Sequence, residues 1–218
     1  MKKNYSIAYL KTIKKINLPI NIITRIFLSQ FSPLVKKFIN KKILDYSCGS
    51  GPYLNLFNSL GLKVHATEIS TAITNELKKK FKNVVFKKSN NSHINFPNKY
   101  FDYILCSHSL YYLENVDQRF EDTVEEVSRV LKKGGYLICT FPNIKQSHLK
   151  FSKIKKNVFK IVFDKYKIRK NGYFHLFSST NSIKKFFEKK FYIVEVGQQI
   201  LKFKDLNENF YIAVLKKK

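Results

Sequence analysis

From Lys41 onward, short apolar runs alternate with stretches whose apolar residues recur every three or four positions. The short runs are rich in β-branched and aromatic residues. They predict strands at Ile43–Ser47, Lys63–Thr67, Val84–Lys87, Phe101–Ser107, Gly135–Phe141, Phe191–Gly197 and Asn209–Leu215. Helices fit between them at Pro52–Leu60, Thr71–Lys80, Gln118–Leu131 and Thr180–Lys190. Ser70 and Asp117 are natural N-caps for the second and third of these, and "KKGGY" closes the third with glycine. Such alternation predicts an α/β fold, a doubly wound, mostly parallel seven-stranded sheet with helices on both faces. The last two runs are joined by "QQILKFKDLNE" without a helix, which predicts an antiparallel edge strand. Between Pro142 and Phe177 lies a lysine-rich stretch containing "FSKIKKNVFKIVF", read as a helix and loop inserted over one end of the sheet at about residues 143–174.

Upstream, Ile22, Ile23, Ile26, Phe27 and Phe31 fall at helical spacing. They predict an amphipathic helix in a basic N-terminal extension, residues 1–40, packing on a domain that spans 41–218. Arg25 interrupts this run, no small-residue cleavage site follows, and no apolar stretch reaches the roughly 18 residues that span a bilayer. No integral membrane segment is expected.

Composition supports a folded chain: 44% of the 218 residues are hydrophobic, with 20 Phe and 13 Tyr for a core and only 7 Gly and 5 Pro to break it. Cys48, Cys106 and Cys139 form an odd set without metal-ligand spacing, which reads as reduced thiols in a cytoplasmic protein. The formal net charge of +26 leaves two readings open. Only four of the 41 basic residues are Arg (Arg25, Arg119, Arg129 and Arg169), so lysine-rich compositional drift is one reading. The other is an anionic partner, nucleic acid or a membrane surface, met by the basic N-terminus and the insertion. Residues 145–190 carry fourteen basic residues against Asp164 and Glu188, whereas Glu114 to Glu126 holds six acids.

The candidate chemistry begins at "KKILDYSCGSGPYL". Ligands of doubly wound sheets bind beyond the carboxyl ends of the strands, and the first strand-to-helix turn is the usual cradle. Gly49 and Gly51 allow close backbone approach there. A lone Gly-x-Gly is also a common steric device, the dinucleotide pattern fails at Leu54, and no Gly-Lys-Ser/Thr follows for a phosphate loop. Asp45, just upstream, would repel a pyrophosphate. Glu68 ends the next strand, where an acid can accept both hydroxyls of a ribose. Two acids beside a glycine turn favour a nucleoside with positive charge, and S-adenosylmethionine (SAM) answers that description.

The chain resembles the class I SAM-dependent methyltransferases from about Lys41 to Val196. "ILDYSCGSGPYL" is similar to that family's first motif, "VHATEIS" to its second, "NFPNKYFDYILCSHSLYYL" to its fourth-strand segment and "VEEVSRVLKKGGYLICTFPN" to the helix and fifth strand that follow. "HLFSSTNSIKKFFEKKFYIVEV" resembles the His-plus-helix segment of sugar and small-molecule members. The resemblance implies a Rossmann-like fold, SAM as cofactor, and Asp45, Ser47, Gly49, Gly51, Glu68 and Asn90 at the cofactor. Ser47 stands where the family commonly has glycine, and Asn90 where an acid often meets adenine.

On the acceptor side, His108 follows the fourth strand at its carboxyl end, His175 opens "HLFSST", and Tyr111 and Tyr112 offer wall and hydroxyl contacts. His108, His175 and Tyr111 are therefore the catalytic candidates, with His108 as general base. His65 and His148 read as structural or solvated, His93 is a weak candidate, and Asp102 starts its strand at the remote end. The expected reaction is O-methylation of a small molecule, sugar or glycan, or lipid-like acceptor. Alternatives are a nucleic-acid methyltransferase, although "CSHSLYYL" lacks the Asn/Asp-Pro-Pro-Tyr/Phe box of base-amino methylases, and a non-catalytic SAM-binding or membrane-surface protein.

Overall fold

The computed structural model describes Ile23, Ile26, Phe27, residues 38–90 and residues 93–218. Seven strands form the main sheet: β1 (Lys42–Asp45), β2 (Lys63–Thr67), β3 (Val85–Lys87), β6 (Phe101–Cys106), β8 (Leu131–Pro142), β12 (Phe191–Phe203) and β13 (Leu206–Lys217). Their order is β12-β13-β8-β6-β1-β2-β3. β3, β2, β1, β6 and β8 pair in parallel, and β13 runs antiparallel to both β8 and β12. This is the predicted α/β sheet with its antiparallel edge. The chain leaves β1 toward β2 on one side and returns to β6 on the other, so the topological switch lies between the carboxyl ends of β1 and β6.

Helices α1 (Leu54–Ser59), α2 (Thr71–Lys80), α3 (Phe120–Val130) and α4 (Thr180–Phe187) follow the predicted positions. Ser70 caps α2 by accepting from Ile73 N, and Ser179 caps α4 through a reciprocal box with Ser182. Asp117 does not cap α3. That helix starts later, at Phe120 after Arg119, because the Asn115 side chain accepts from the backbone of Asp117 and Gln118 and holds them in a turn. One apolar core packs α1 and α2 on one face of the sheet, together with Ile23, Phe27 and Phe38 from the N-terminal segment. The other packs α3 and α4 on the opposite face. Of the predicted N-terminal helix face, Ile23, Ile26 and Phe27 are helical, while Ile22, Phe31 and most of the extension lie outside the described residues.

The insertion departs from its predicted form. "FSKIKKNVFKIVF" makes a β-hairpin, β9 (Leu149–Lys155) and β10 (Val158–Asp164), not a helix. Val158, Phe159, Ile161, Val162 and Phe163 are β-branched or aromatic, and Asn157 (φ 63°) supplies the left-handed residue of a two-residue turn. With β7 (Tyr112–Leu113) and β11 (Tyr173–His175) the hairpin forms a four-stranded sheet ordered β7-β11-β10-β9. A two-stranded ribbon, β4 (Ser89–Asn90) and β5 (His93–Ile94), completes the described strands.

At the amino end of β6, Asp102 accepts from Lys42 N (2.9 Å) and Lys132 Nζ (2.9 Å), a structural clamp far from the switch point. Cys48, Cys106 and Cys139 are free and buried, and Cys106 faces Cys139 across the β6–β8 pair. Among the described residues no helix is long and apolar enough to cross a membrane.

Candidate functional site

β1 hands its last hydrogen bond to Tyr46, whose N–H donates to Leu105 O (2.8 Å), and the chain then turns sharply toward α1. Three residues take left-handed backbone conformations: Ser47 (φ 54°), Gly49 (φ 56°) and Gly51 (φ 70°). Glycine adopts this freely, and a Cβ on Gly51 would meet Leu54 Cδ1 at 2.6 Å. A left-handed residue with a side chain costs about 1–2 kcal/mol. At Ser47 that cost is offset by the end of β2, because Ser47 N donates to Thr67 Oγ1 (3.1 Å) and Cys48 N to Thr67 O (2.9 Å).

Glu68 fastens the turn from the other side. Its Oε2 accepts from Gly49 N and its Oε1 from Ser70 N, both at 3.0 Å, so one carboxylate joins the glycine turn to the start of α2. Burial raises its pKa, and the bonds from Ser70 and Gly49 pull against that rise. Each oxygen keeps capacity for a further donor. Asp45 is 2% exposed, and its Oδ2 has no hydrogen-bond partner. Burial, and then the neighbouring Glu68 charge, push its carboxyl up to about 8.

These groups border a cavity of about 430 Å³ at the switch point. Ser47 and Gly49 form one wall, and Glu68, Ile69 and Ile73 a second, with Ser89 beside them. His108, Ser109 and Tyr112, from the segment after β6, form a third. Residues Ile168 to Gly172, in the β10–β11 connection, close the cavity as a roof. His108 is in a left-handed conformation (φ 54°) fixed by its N–H donating to Thr140 Oγ1 (2.8 Å) and by an edge-on contact of its ring with Phe210 (4.5 Å). His108 is exposed to the cavity; the protein atoms around it, then Arg169 and His148, lower its pKa, so the ring is neutral at physiological pH.

The structure brings Ser47, Gly49, Glu68 and His108 to one cavity, with Asp45 and Gly51 adjoining in the same turn. Two catalytic candidates do not line it. His175 is buried in the aromatic core, stacked on Phe120 at 4.2 Å and flanked by Phe177 and by Phe186 of α4. Tyr111 is packed edge-on against Phe174 (4.7 Å), and its neighbour Tyr112 takes the place on the wall. Asn90 pairs through its backbone with His93 in the β4–β5 ribbon, and its side chain lies outside the described residues. His93 is exposed beside Glu126 (3.4 Å), and His65 is packed between Phe96, Tyr100 and Phe101. His148 is buried, not solvated.

Sequence reasoning missed Ser89 and Ser109, and it placed the insertion over one end of the sheet without naming Ile168 to Gly172 as cavity lining. The roof carried two signals, Arg169 as one of only four arginines and the turn dipeptide Asn171-Gly172.

Residues 44–139 match the model of a family described as a methyltransferase domain. No curated protein matches the chain. Among solved structures, a SAM-dependent methyltransferase from Methanosarcina mazei is 19% identical, with 85% of this chain and 97% of that one covered and a TM-score of 0.65. A 1,6-didemethyltoxoflavin-N1-methyltransferase from Burkholderia thailandensis, with bound 1,6-didemethyltoxoflavin and S-adenosylhomocysteine (SAH), is 12% identical, with 98% and 85% covered and a TM-score of 0.68. A SAM-dependent methyltransferase from Mesorhizobium loti is 14% identical, with 86% and 97% covered and a TM-score of 0.59.

Proposed function

We infer that this chain, a class I SAM-dependent methyltransferase by the domain it carries and by its fold, methylates an oxygen of a small acceptor held beside His108. The observation that carries this reading is Glu68, a buried carboxylate that lines the cavity at the end of β2 and ties down the glycine turn.

The residues present fit SAM. Glu68 has acceptor capacity left for ribose hydroxyls, and Ile69 and Ile73 offer an apolar wall to a flat base. Ser47 and Gly49 bring backbone to the cavity edge. Asp45 holds an unpartnered oxygen in a buried place, which suits a nearby positive charge or a water-mediated contact to an ammonium group. When bound, SAM supplies an activated methyl on a sulfonium, so the transfer needs little covalent chemistry from the protein.

The protein's part is positioning and proton handling. Tyr112, Ser109 and the roof hold the acceptor and exclude water, which makes the encounter effectively intramolecular. His108, neutral at physiological pH, takes the proton of the acceptor hydroxyl, a contribution of typically 10²–10⁴-fold. A cavity of about 430 Å³ lies within the range of roughly 300–1,000 Å³ common to small-molecule sites. The small-molecule substrate named for the Burkholderia neighbour supports a small molecule, a sugar unit or the head of a lipid-like acceptor.

Calorimetry with SAM and SAH tests the reading, followed by transfer of labelled methyl from SAM into a small-molecule extract. Binding of both compounds and label in an acid-stable product are expected. Failure of both compounds to bind would remove the assignment.

A further inference from the structure

Across the cavity from Glu68, the roof has the opposite character. Among the described residues, Arg169 and Lys170 are the only Arg or Lys residues lining the cavity, and Glu68 is the only acid. The cavity is therefore acidic toward the glycine turn and cationic toward the β10–β11 connection.

The cationic end is built with care. Asp164 gathers the loop by accepting from the backbone of Tyr166 (3.0 Å), Ile168 (2.8 Å) and Arg169 (2.6 Å). Asn171 (φ 70°) donates to Ile161 O and Gly172 to Arg169 O, each at 2.9 Å, which folds the loop back onto β10. Arg169 Nε donates to Tyr112 Oη (2.7 Å), so the guanidinium is oriented by a residue of the facing wall. This chain uses Lys at most basic positions, yet one of its four Arg stands here. A planar fork recognises carboxylate and phosphate by paired hydrogen bonds, which an ammonium cannot reproduce.

We propose that the methyl acceptor carries a carboxylate or phosphate group that docks on Arg169 and Lys170, with its hydroxyl directed to His108. The proposal rests on the methyl-transfer reading and names the substrate class for the same site. It has a consequence for His108. The protein atoms around that ring hold its basicity down first, and then the charge of Arg169 with His148 beside it, while Phe210, Thr140 and Tyr112 carry no charge. An anion on Arg169 offsets the positive field and makes His108 a stronger base only once an acceptor is in place.

The test follows the histidine ring signals of the full-length, SAH-loaded protein by NMR while inorganic phosphate, or separately benzoate, is added at constant ionic strength. His108 should shift saturably with at least one of the two anions, and its pKa should rise, while exposed His93 stays unmoved. Arg169→Gln should abolish the response and leave SAH affinity intact. Arg169→Lys, which keeps the charge but not the fork, should weaken anion affinity about tenfold and covers the case in which Arg169→Gln does not fold. A His108 signal indifferent to both anions, or one that responds equally in the Arg169 variants, would overturn the proposal. Should SAH fail to bind, the methyl-transfer reading falls by itself, and the anion response of the ligand-free protein still decides whether the roof is an anion site.

Discussion

Asp45→Asn should flatten a loss of stability that the wild-type chain undergoes between pH 6.5 and 8. An acid with a higher pKa folded than unfolded keeps its proton in the native state while the unfolded chain gives it up. Stability then falls as pH rises between the two values. For Asp45 these values are 3.8 and about 8. Two buried histidines act in the other direction. His148 and His175 are each lowered from 6.5 to about 4, so the unfolded chain takes up protons that the native state refuses, and stability falls as pH drops below 6.5. Below pH 6.5 the slopes oppose each other. Above it these histidines are neutral in both states, and Asp45 remains, with Glu68 and Glu208 raised in the same direction. At about 1.4 kcal/mol per pH unit for one proton, the window to pH 8 holds at most about 2 kcal/mol. Urea denaturation followed by circular dichroism at several pH values across the window measures it. Asparagine keeps the shape and removes the titration, so the variant should match the wild type near pH 6.5 and exceed it near pH 8. A wild-type curve that is level or rising over the window, or a variant with the same slope, would refute the reasoning.

Three further outcomes follow from the site. Glu68→Gln offers one acceptor oxygen to the two N–H donors of Gly49 and Ser70, leaving a buried donor unpaired; this should cost about 1–3 kcal/mol in denaturation and weaken SAM binding at least tenfold by calorimetry. His108→Ala should retain SAM affinity and slow labelled-methyl transfer by roughly 10²–10⁴-fold, and unchanged turnover would remove the ring as a base. Gly51→Ala forces a Cβ to within 2.6 Å of Leu54 Cδ1 in a left-handed conformation, so the urea midpoint should fall by the equivalent of about 2–3 kcal/mol.

The main sheet was legible because each parallel strand is an apolar run bounded by a turn, and β1, β2 and β6 each lead into a periodic helix. Lys63–Thr67 and Thr71–Lys80 coincide with their predicted bounds for that reason. The glycine turn and Glu68 were legible because their order in the chain is also their order in space. The acceptor side was not. Tyr111 and Tyr112 are adjacent in sequence and stack at 5.0 Å, so only the pairing of β7 with β11 decides which ring meets the cavity. His175 sits one strand end from the site, but Phe120 covers it, a long-range contact that no local pattern reports. In the insertion, short apolar runs fit either period, and the residue that arbitrates is Asn157 at the turn.

The roof belongs to a sheet of its own, joined to the wall by the two-residue β7. Everything proposed to grip the nucleoside lies between Asp45 and Ile73, and the cationic end of the cavity is encoded about a hundred positions later as one continuous cassette. A descendant could trade that cassette for another of similar length, keeping Tyr112 and Leu113 as the docking strip, and change its customer while leaving the donor half intact. Catalytic machinery and clientele are thus separable inheritances in this chain, and grafting experiments have a natural seam at which to cut.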